Sequence, residues 1–255
     1  MTSGSEASAL TAAGLIAGSV FDIAGTAGRS VIVHGSLAAG GFRPGRSDID
    51  LLVVVDGGLT DAQAAAIEGV VRRADAGTAA GIDLHVVTAE AAGAASRAPA
   101  LELYLGRHRR SPTLEVERRV AASPDLATEL SMALSGGRAL AGAPPGETIA
   151  PVPAEWVIDR GRHWLTAWRS LTDDAAHAAF MALTTCRIWR FAVDRVHCSK
   201  PRAATWALDR DPSLTAVRQA LRQYEHHPAT VVSERGLADL LDTVLGETAR
   251  DGPSR

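Results

Sequence analysis

The sequence predicts an α+β protein: a mixed sheet flanked by helices, followed by an α-helical bundle. Three observations carry this. Short Val/Ile/Leu runs of strand length, at 30–34, 49–55 and 82–87, all fall in the first hundred residues. Segments of helical periodicity separate and follow them. A stretch rich in turn residues, Ala143-Pro144-Pro145-Gly146 with Pro151 and Pro153, then interrupts the chain, and only helical patterns lie beyond it. The expected domains are 9–150, mixed α/β, and 151–250, helical.

Taken in order, Leu15, Ile16, Val20 and Ile23 recur at helical spacing and predict a helix over 9–27. Val31-Ile32-Val33, closed by Gly35, reads as the first strand, and Gly40-Gly41 with Pro44-Gly45 as a loop. Residues 49–55 form a near-continuous apolar run broken only by Asp50, which suits a buried strand. A helix is expected over 61–74. A strand follows over 82–87, its apolar run broken by Asp83 and His85. Residues 123–140 again read as helix. The second domain gives helices over 156–171, 174–196, 201–207, 213–224 and 233–250.

The 255 residues are 46% apolar, enough for one large or two ordinary cores. A net charge of −3 excludes a general nucleic-acid binder, and the richest basic run, Arg107, Arg109 and Arg110, is too short for a polyanion tail. Cys186 and Cys198 do not make a disulfide framework and read as free thiols in a reducing cytosol. The start of the chain, residues 1–9, has no Lys or Arg and no signal-peptide pattern, and no unbroken apolar run of about 18 residues predicts a membrane span. A cytoplasmic monomer is the expectation.

The segment with chemistry in it is Val33-His34-Gly35-Ser36 followed by Ser47-Asp48-Ile49-Asp50-Leu51. Alternate strand residues share a face, so Asp48 and Asp50 project together from an apolar strand. Adjacent carboxylates repel and resist desolvation, and a divalent cation removes both penalties. Mg²⁺ takes one or two protein carboxylates plus phosphate oxygens and water. Gly35 lets a phosphate approach the backbone, and Ser36 and Ser47 add donors. The Gly-Lys-Ser/Thr ending of a Walker loop is absent. Asp83, on the third strand, joins the same site if that strand neighbours the second. Three carboxylates can hold one or two Mg²⁺ ions, and Asp83 can also act as the base for an acceptor hydroxyl.

This strand-Gly-Ser and Asp-x-Asp pattern resembles the nucleotidyltransferase superfamily related to DNA polymerase β. More narrowly, the chain is similar to the streptomycin/spectinomycin adenylyltransferases, most strongly over 34–55 and 185–224. The second stretch contains Arg187-Ile188-Trp189, Ser199-Lys200, Ala204-Thr205-Trp206-Ala207 and Gln223-Tyr224. The resemblance implies transfer of AMP from ATP to a hydroxyl of an aminoglycoside antibiotic, with Mg²⁺ as cofactor and no nucleic-acid partner. It implies a site between the two domains. Asp48 and Asp50 match the metal ligands, and Asp83 the catalytic carboxylate, a position where the family usually has the longer Glu. Gly35, Ser36, Ser47, Lys200 and Tyr224 fall at the nucleotide site. Asp173, His108, His177 and Arg187 fall at the antibiotic site. Members that accept streptomycin carry Trp and Asp where this chain has His108 and His177, so spectinomycin is the expected acceptor. His163, His226 and His227 form no ligand-like arrangement. The competing readings are a silent nucleotide-binding relative, against which the intact Asp48, Asp50 and Asp83 argue, and the same chemistry on another small metabolite or on a protein hydroxyl.

Overall fold

The computed structural model describes residues 2–109, 111, 113–225 and 227–249. Met1, Arg110, His226 and the expected helix end at Arg250 lie outside the described residues. The chain divides into two compact units, Met1–Pro153 and Ala154–Arg255.

In the first unit the helices are α1 (Thr2–Ala24), α2 (Gly35–Ala38), α3 (Asp61–Arg73), α4 (Ala89–Gly93), α5 (Leu126–Gly136) and α6 (Pro145–Thr148). The strands are β1 (Gly28–His34), β2 (Ile49–Val55), β3 (Gly81–Thr88), β4 (Leu101–His108), β5 (Glu115–Val120) and β6 (Arg138–Gly142). They form one mixed sheet in the order β5-β4-β3-β2-β1-β6. The β2–β3 pair is parallel and every other pair antiparallel. The central strand β2 is buried on both faces, which is why it reads as an apolar run interrupted only by Asp50. Leu51, Val53 and Val55 pack with Ala13, Ile16, Val20 and Ile67 of α1 and α3, while Leu52 and Val54 pack with Leu126 and Leu130 of α5 on the other side. Thr60 starts α3 with a capping box: its Oγ1 accepts the Gln63 N–H, and the Gln63 side chain accepts the Thr60 N–H.

Three expectations about the elements are corrected. The first helix begins well before residue 9 and ends in a 3₁₀ turn at Gly25–Ala27. Its stretch Gly4–Ala27 is long and apolar enough to cross a membrane by composition, despite its Ser residues, yet Ala9, Ala13, Ile16, Ala17 and Val20 are packed in the core. The chain between 88 and 122 holds two strands that composition did not assign. The edge strand β5 is charged and almost wholly exposed, so it carries no apolar signal. The helix expected over 123–140 stops at Gly136, and the Ala-rich β6 follows it as the opposite edge.

The second unit is helical: α7 (Ala154–Trp168), α8 (Ala178–Asp194), α9 (Lys200–Arg210), α10 (Thr215–Glu225) and α11 (Glu234–Ala249). α8 is the hub, touching the other four. Its Met181, Leu183 and Trp189 meet Leu165, Val217, Leu237 and Leu241 in a separate core. Cys186 and Cys198 are free, and burial pushes the Cys186 thiol up to about 12.

His197 stacks on Phe191 with ring centroids 4.3 Å apart. Burial, aided by the Arg187 charge, pushes it down to about 4. The unfolded chain titrates near 6.5, so between those values the unfolded state binds the extra proton and stability falls as pH falls. The melting temperature should therefore decrease from pH 6.5 towards 4, and less so in His197→Gln. An equal decrease in both proteins contradicts the assignment.

Candidate active site

The site is built at one end of the first unit's sheet. The parallel register sets Asp50 opposite Asp83, and the antiparallel pairing sets His34 opposite Asp50 on its other side. The expected adjacency of the second and third strands is therefore present. β4 completes the corner, with Gly81 opposite His108 and Asp83 opposite Gly106.

Among the described residues, Asp48, Asp83 and His108 each offer one ligand atom, all within 4.8 Å of one another. His108 Nδ1 lies 3.7 Å from Asp48 Oδ1, and its Nε2 lies 3.6 Å from Asp83 Oδ1. Asp50 is not in that set. Its Oδ2 instead lies against Gly35, where an added Cβ would stand 2.0 Å away. Gly35 has φ of +64°, the left-handed region that glycine enters without a Cβ penalty. The backbone turn out of β1 into α2 and the seat of the Asp50 carboxylate thus depend on the same missing side chain.

Asp83 is the electrostatic centre. Burial raises its pKa above the usual carboxylate range, while the His108 charge and the Tyr104 hydroxyl pull it back. Tyr104 Oη donates to Asp83 Oδ1 at 2.8 Å, and burial and that carboxylate hold the phenol protonated well above its ordinary range. Behind it His85 lies against Tyr104 at 4.9 Å between ring centroids and is driven down to about 4 by burial. Tyr104 was not among the residues the sequence singled out. Its one signal is strand alternation, Glu102, Tyr104, Gly106, opposite a strand that carries Asp83.

Ser36 is half-buried in α2. Ser47 is buried, and its Oγ accepts the Arg43 N–H at 3.0 Å, so it closes the loop that leads into Asp48. A cavity of about 380 Å³ opens beside Gly81 and His108, bordered by Arg72, Arg107 and Arg109.

The remaining expected residues lie in the second unit. Lys200 opens α9, with its Nζ 4.6 Å from the centre of the Phe180 ring. Tyr224, on α10, packs at the edge of the helical core. Arg187 is half-buried on α8 and near enough to His197 to depress its pKa. Asp173 is exposed before α8. His177, the residue that precedes α8, is exposed and its Nδ1 lies 2.7 Å from Asp174 Oδ2, an interaction that lowers the Asp174 pKa.

The chain matches the family model of the nucleotidyltransferase domain over residues 21–102. It matches that of the aminoglycoside adenylyltransferase C-terminal domain over residues 147–245. Among solved structures it is similar to spectinomycin adenyltransferase AAD(9) from Enterococcus faecialis, determined with ATP and spectinomycin. The TM-score is 0.70 at 18% identity, covering 91% of this chain and 96% of that one.

Gly35→Ala places a Cβ in the left-handed region and onto the Asp50 carboxylate. It should destabilise the protein by about 1–3 kcal/mol, the scale of local backbone strain. Equilibrium denaturation of both proteins measures this, and an unchanged midpoint is the contrary result.

Proposed function

Because this chain belongs to the aminoglycoside nucleotidyltransferases, ATP-dependent adenylyltransferases in which a nucleotidyltransferase domain precedes a family-specific helical domain, we propose that it transfers AMP from ATP to a spectinomycin hydroxyl with the help of Mg²⁺. The observation that carries this reading is the convergence of Asp48 and Asp83 to within a few ångströms at the end of one sheet, with Asp50 in register beside Asp83.

The donor set fits a divalent cation. Carboxylates held this close repel unless a cation or protons neutralise them, and Asp48 does raise the Asp83 pKa. Asp48 and Asp50, with or without Asp83, would hold Mg²⁺, which neutralises triphosphate charge and polarises the reacting oxygens. Gly35 and Ser36 would border the phosphates from the turn after β1, and Ser47 would hold the loop that presents Asp48. Lys200 and Tyr224 are the proposed nucleotide contacts of the second domain, where the Lys200 ammonium suits an anionic ligand.

Asp83 is the proposed base. The acceptor hydroxyl passes its proton to the carboxylate as the oxygen bonds to the α-phosphorus and pyrophosphate departs. Burial suits it to this task, since a raised pKa brings a carboxylate nearer the pH at which a base is both available and strong enough. Tyr104 keeps the hydroxyl proton it donates and so orients Asp83 without competing for the acceptor's proton.

The antibiotic contacts are proposed to be Asp173, His108, His177 and Arg187, with Asp173 facing the cationic amines. Streptomycin carries guanidinium groups, and an unpaired cation is costly to bury. His177 offers none of the negative charge that such a group needs, and the neighbouring Asp174 carboxylate is already engaged by His177. Spectinomycin, compact and without guanidinium, makes no such demand. The likeness to a spectinomycin enzyme points the same way.

The test is purified protein with MgATP and each drug, read by pyrophosphate release and product mass. Spectinomycin should gain one AMP and streptomycin little or none. Asp48→Asn and Asp50→Asn should abolish transfer. Asp83→Asn should lower turnover by about two to four orders of magnitude, the scale of general-base loss. Efficient streptomycin modification overturns the acceptor, and near-normal activity in Asp48→Asn or Asp50→Asn overturns the metal site.

A further inference from the structure

His108 contributes something to this corner that carboxylates do not: a nitrogen ligand. It closes β4 directly opposite Gly81, the first residue of β3. A Cβ on Gly81 would stand 2.6 Å from His108 Nδ1 and 2.7 Å from Asp48 Oδ1, so its absence is what lets the imidazole and the carboxylate converge. Asp83 is fixed from the other side by the Tyr104 hydroxyl at 2.8 Å. The three side chains are 33%, 30% and 21% exposed, so the point between them is reached from solvent without unfolding anything.

The imidazole stands between the two carboxylates, one ring nitrogen towards each. The ring nitrogens stand 3.7 Å from Asp48 and 3.6 Å from Asp83, longer than hydrogen bonds. Neighbouring ligand atoms at about 2.1 Å from one ion stand roughly 3.0–3.4 Å apart in octahedral or tetrahedral geometry. One ligand atom from each residue lies within 4.8 Å of the others, so a shared ion needs a contraction of up to about 1.4 Å, within reach of side-chain rotation at these partly exposed residues.

We infer that Asp48, Asp83 and His108 form a mixed imidazole–carboxylate site that binds a first-row transition cation, such as Co²⁺ or Mn²⁺, more tightly than Mg²⁺. The chemistry follows from ligand type. Mg²⁺ prefers all-oxygen shells, whereas imidazole favours transition ions, with affinity rising from Mn²⁺ through Co²⁺. This rests on the reading of the carboxylates as a metal site and adds His108 to it. It moves His108 from a drug contact to a determinant of which ion the site takes.

Metal-free wild type, His108→Asn and His108→Gln are titrated separately with Mg²⁺ and Co²⁺ by calorimetry. The electron spin echo envelope of bound Mn²⁺ is recorded for a directly coordinated nitrogen. The wild type should bind Co²⁺ about tenfold or more tighter than Mg²⁺. Both variants should lose about tenfold of the Co²⁺ affinity while Mg²⁺ affinity changes less than about threefold. The nitrogen coupling should be present in the wild type and absent in both variants. A wild type that binds Mg²⁺ but shows no nitrogen coupling, or variants that keep the wild-type Co²⁺ to Mg²⁺ ratio, overturn the role of His108 alone. If the wild type binds neither ion, the underlying metal reading falls with it.

Discussion

The in-register parallel pairing of β2 and β3 sets Asp50 opposite Asp83 and brings Asp48, one residue ahead of β2, to the same end of the sheet, and the rest of the site is arranged around Asp83. The register is pinned by burial on both faces of the sheet. Leu51, Val53, Leu84 and Val86 pack towards α1 and α3, while Leu52, Val54 and Val87 pack towards α5. A slip of one residue would turn all of these to the wrong face together with the carboxylates. Hydrophobic packing several residues away therefore fixes the backbone positions from which Asp50 and Asp83 project, with Asp48 one residue ahead of β2. The antiparallel neighbours then deliver the accessories: β1 brings the turn at Gly35, and β4 brings Tyr104 and His108.

The electrostatics of the free protein are accordingly unsatisfied in part. Asp83 has its pKa raised by burial and by Asp48, and only the His108 charge and the Tyr104 hydroxyl work against that. A site that stabilises negative charge poorly in isolation has free energy to gain from a cation, and the proposed metal site would draw on that gain. The second unit has a separate core with α8 at its centre, shares no residues with the sheet's core, and carries Lys200, Tyr224 and Arg187.

Much of this was legible because the relevant strands are buried. β2 reads as an apolar run interrupted by a carboxylate, and an acid in such a run asks for an explanation. The helices of the second unit showed their period for the same reason. Two of the unassigned strands lie at the sheet's edges, where burial is partial, whereas β4 does carry an alternation in its buried Leu101, Leu103 and Leu105. The charged edge β5 and the Ala-rich β6 have no apolar alternation of their own and are strands because of the neighbours they pair with. Tyr104 acts through a diagonal contact with Asp83, and diagonal contacts require knowing which strands pair. His108 reads as a departure from the streptomycin users' Trp, but its place between Asp48 and Asp83 emerges only from the pairing with Gly81.

In the proposed mechanism the fold holds Asp48 and Asp83 close against their charge until a cation relieves it. The direct measurement is chemical denaturation of the wild type and Asp83→Asn, each with and without Mg²⁺. The substitution is nearly isosteric and keeps an acceptor for Tyr104. Without metal the variant should be at least as stable as the wild type, and adding Mg²⁺ should raise the wild-type midpoint far more than the variant's. A metal-free variant that is clearly less stable, with an Mg²⁺ response equal to that of the wild type, contradicts it.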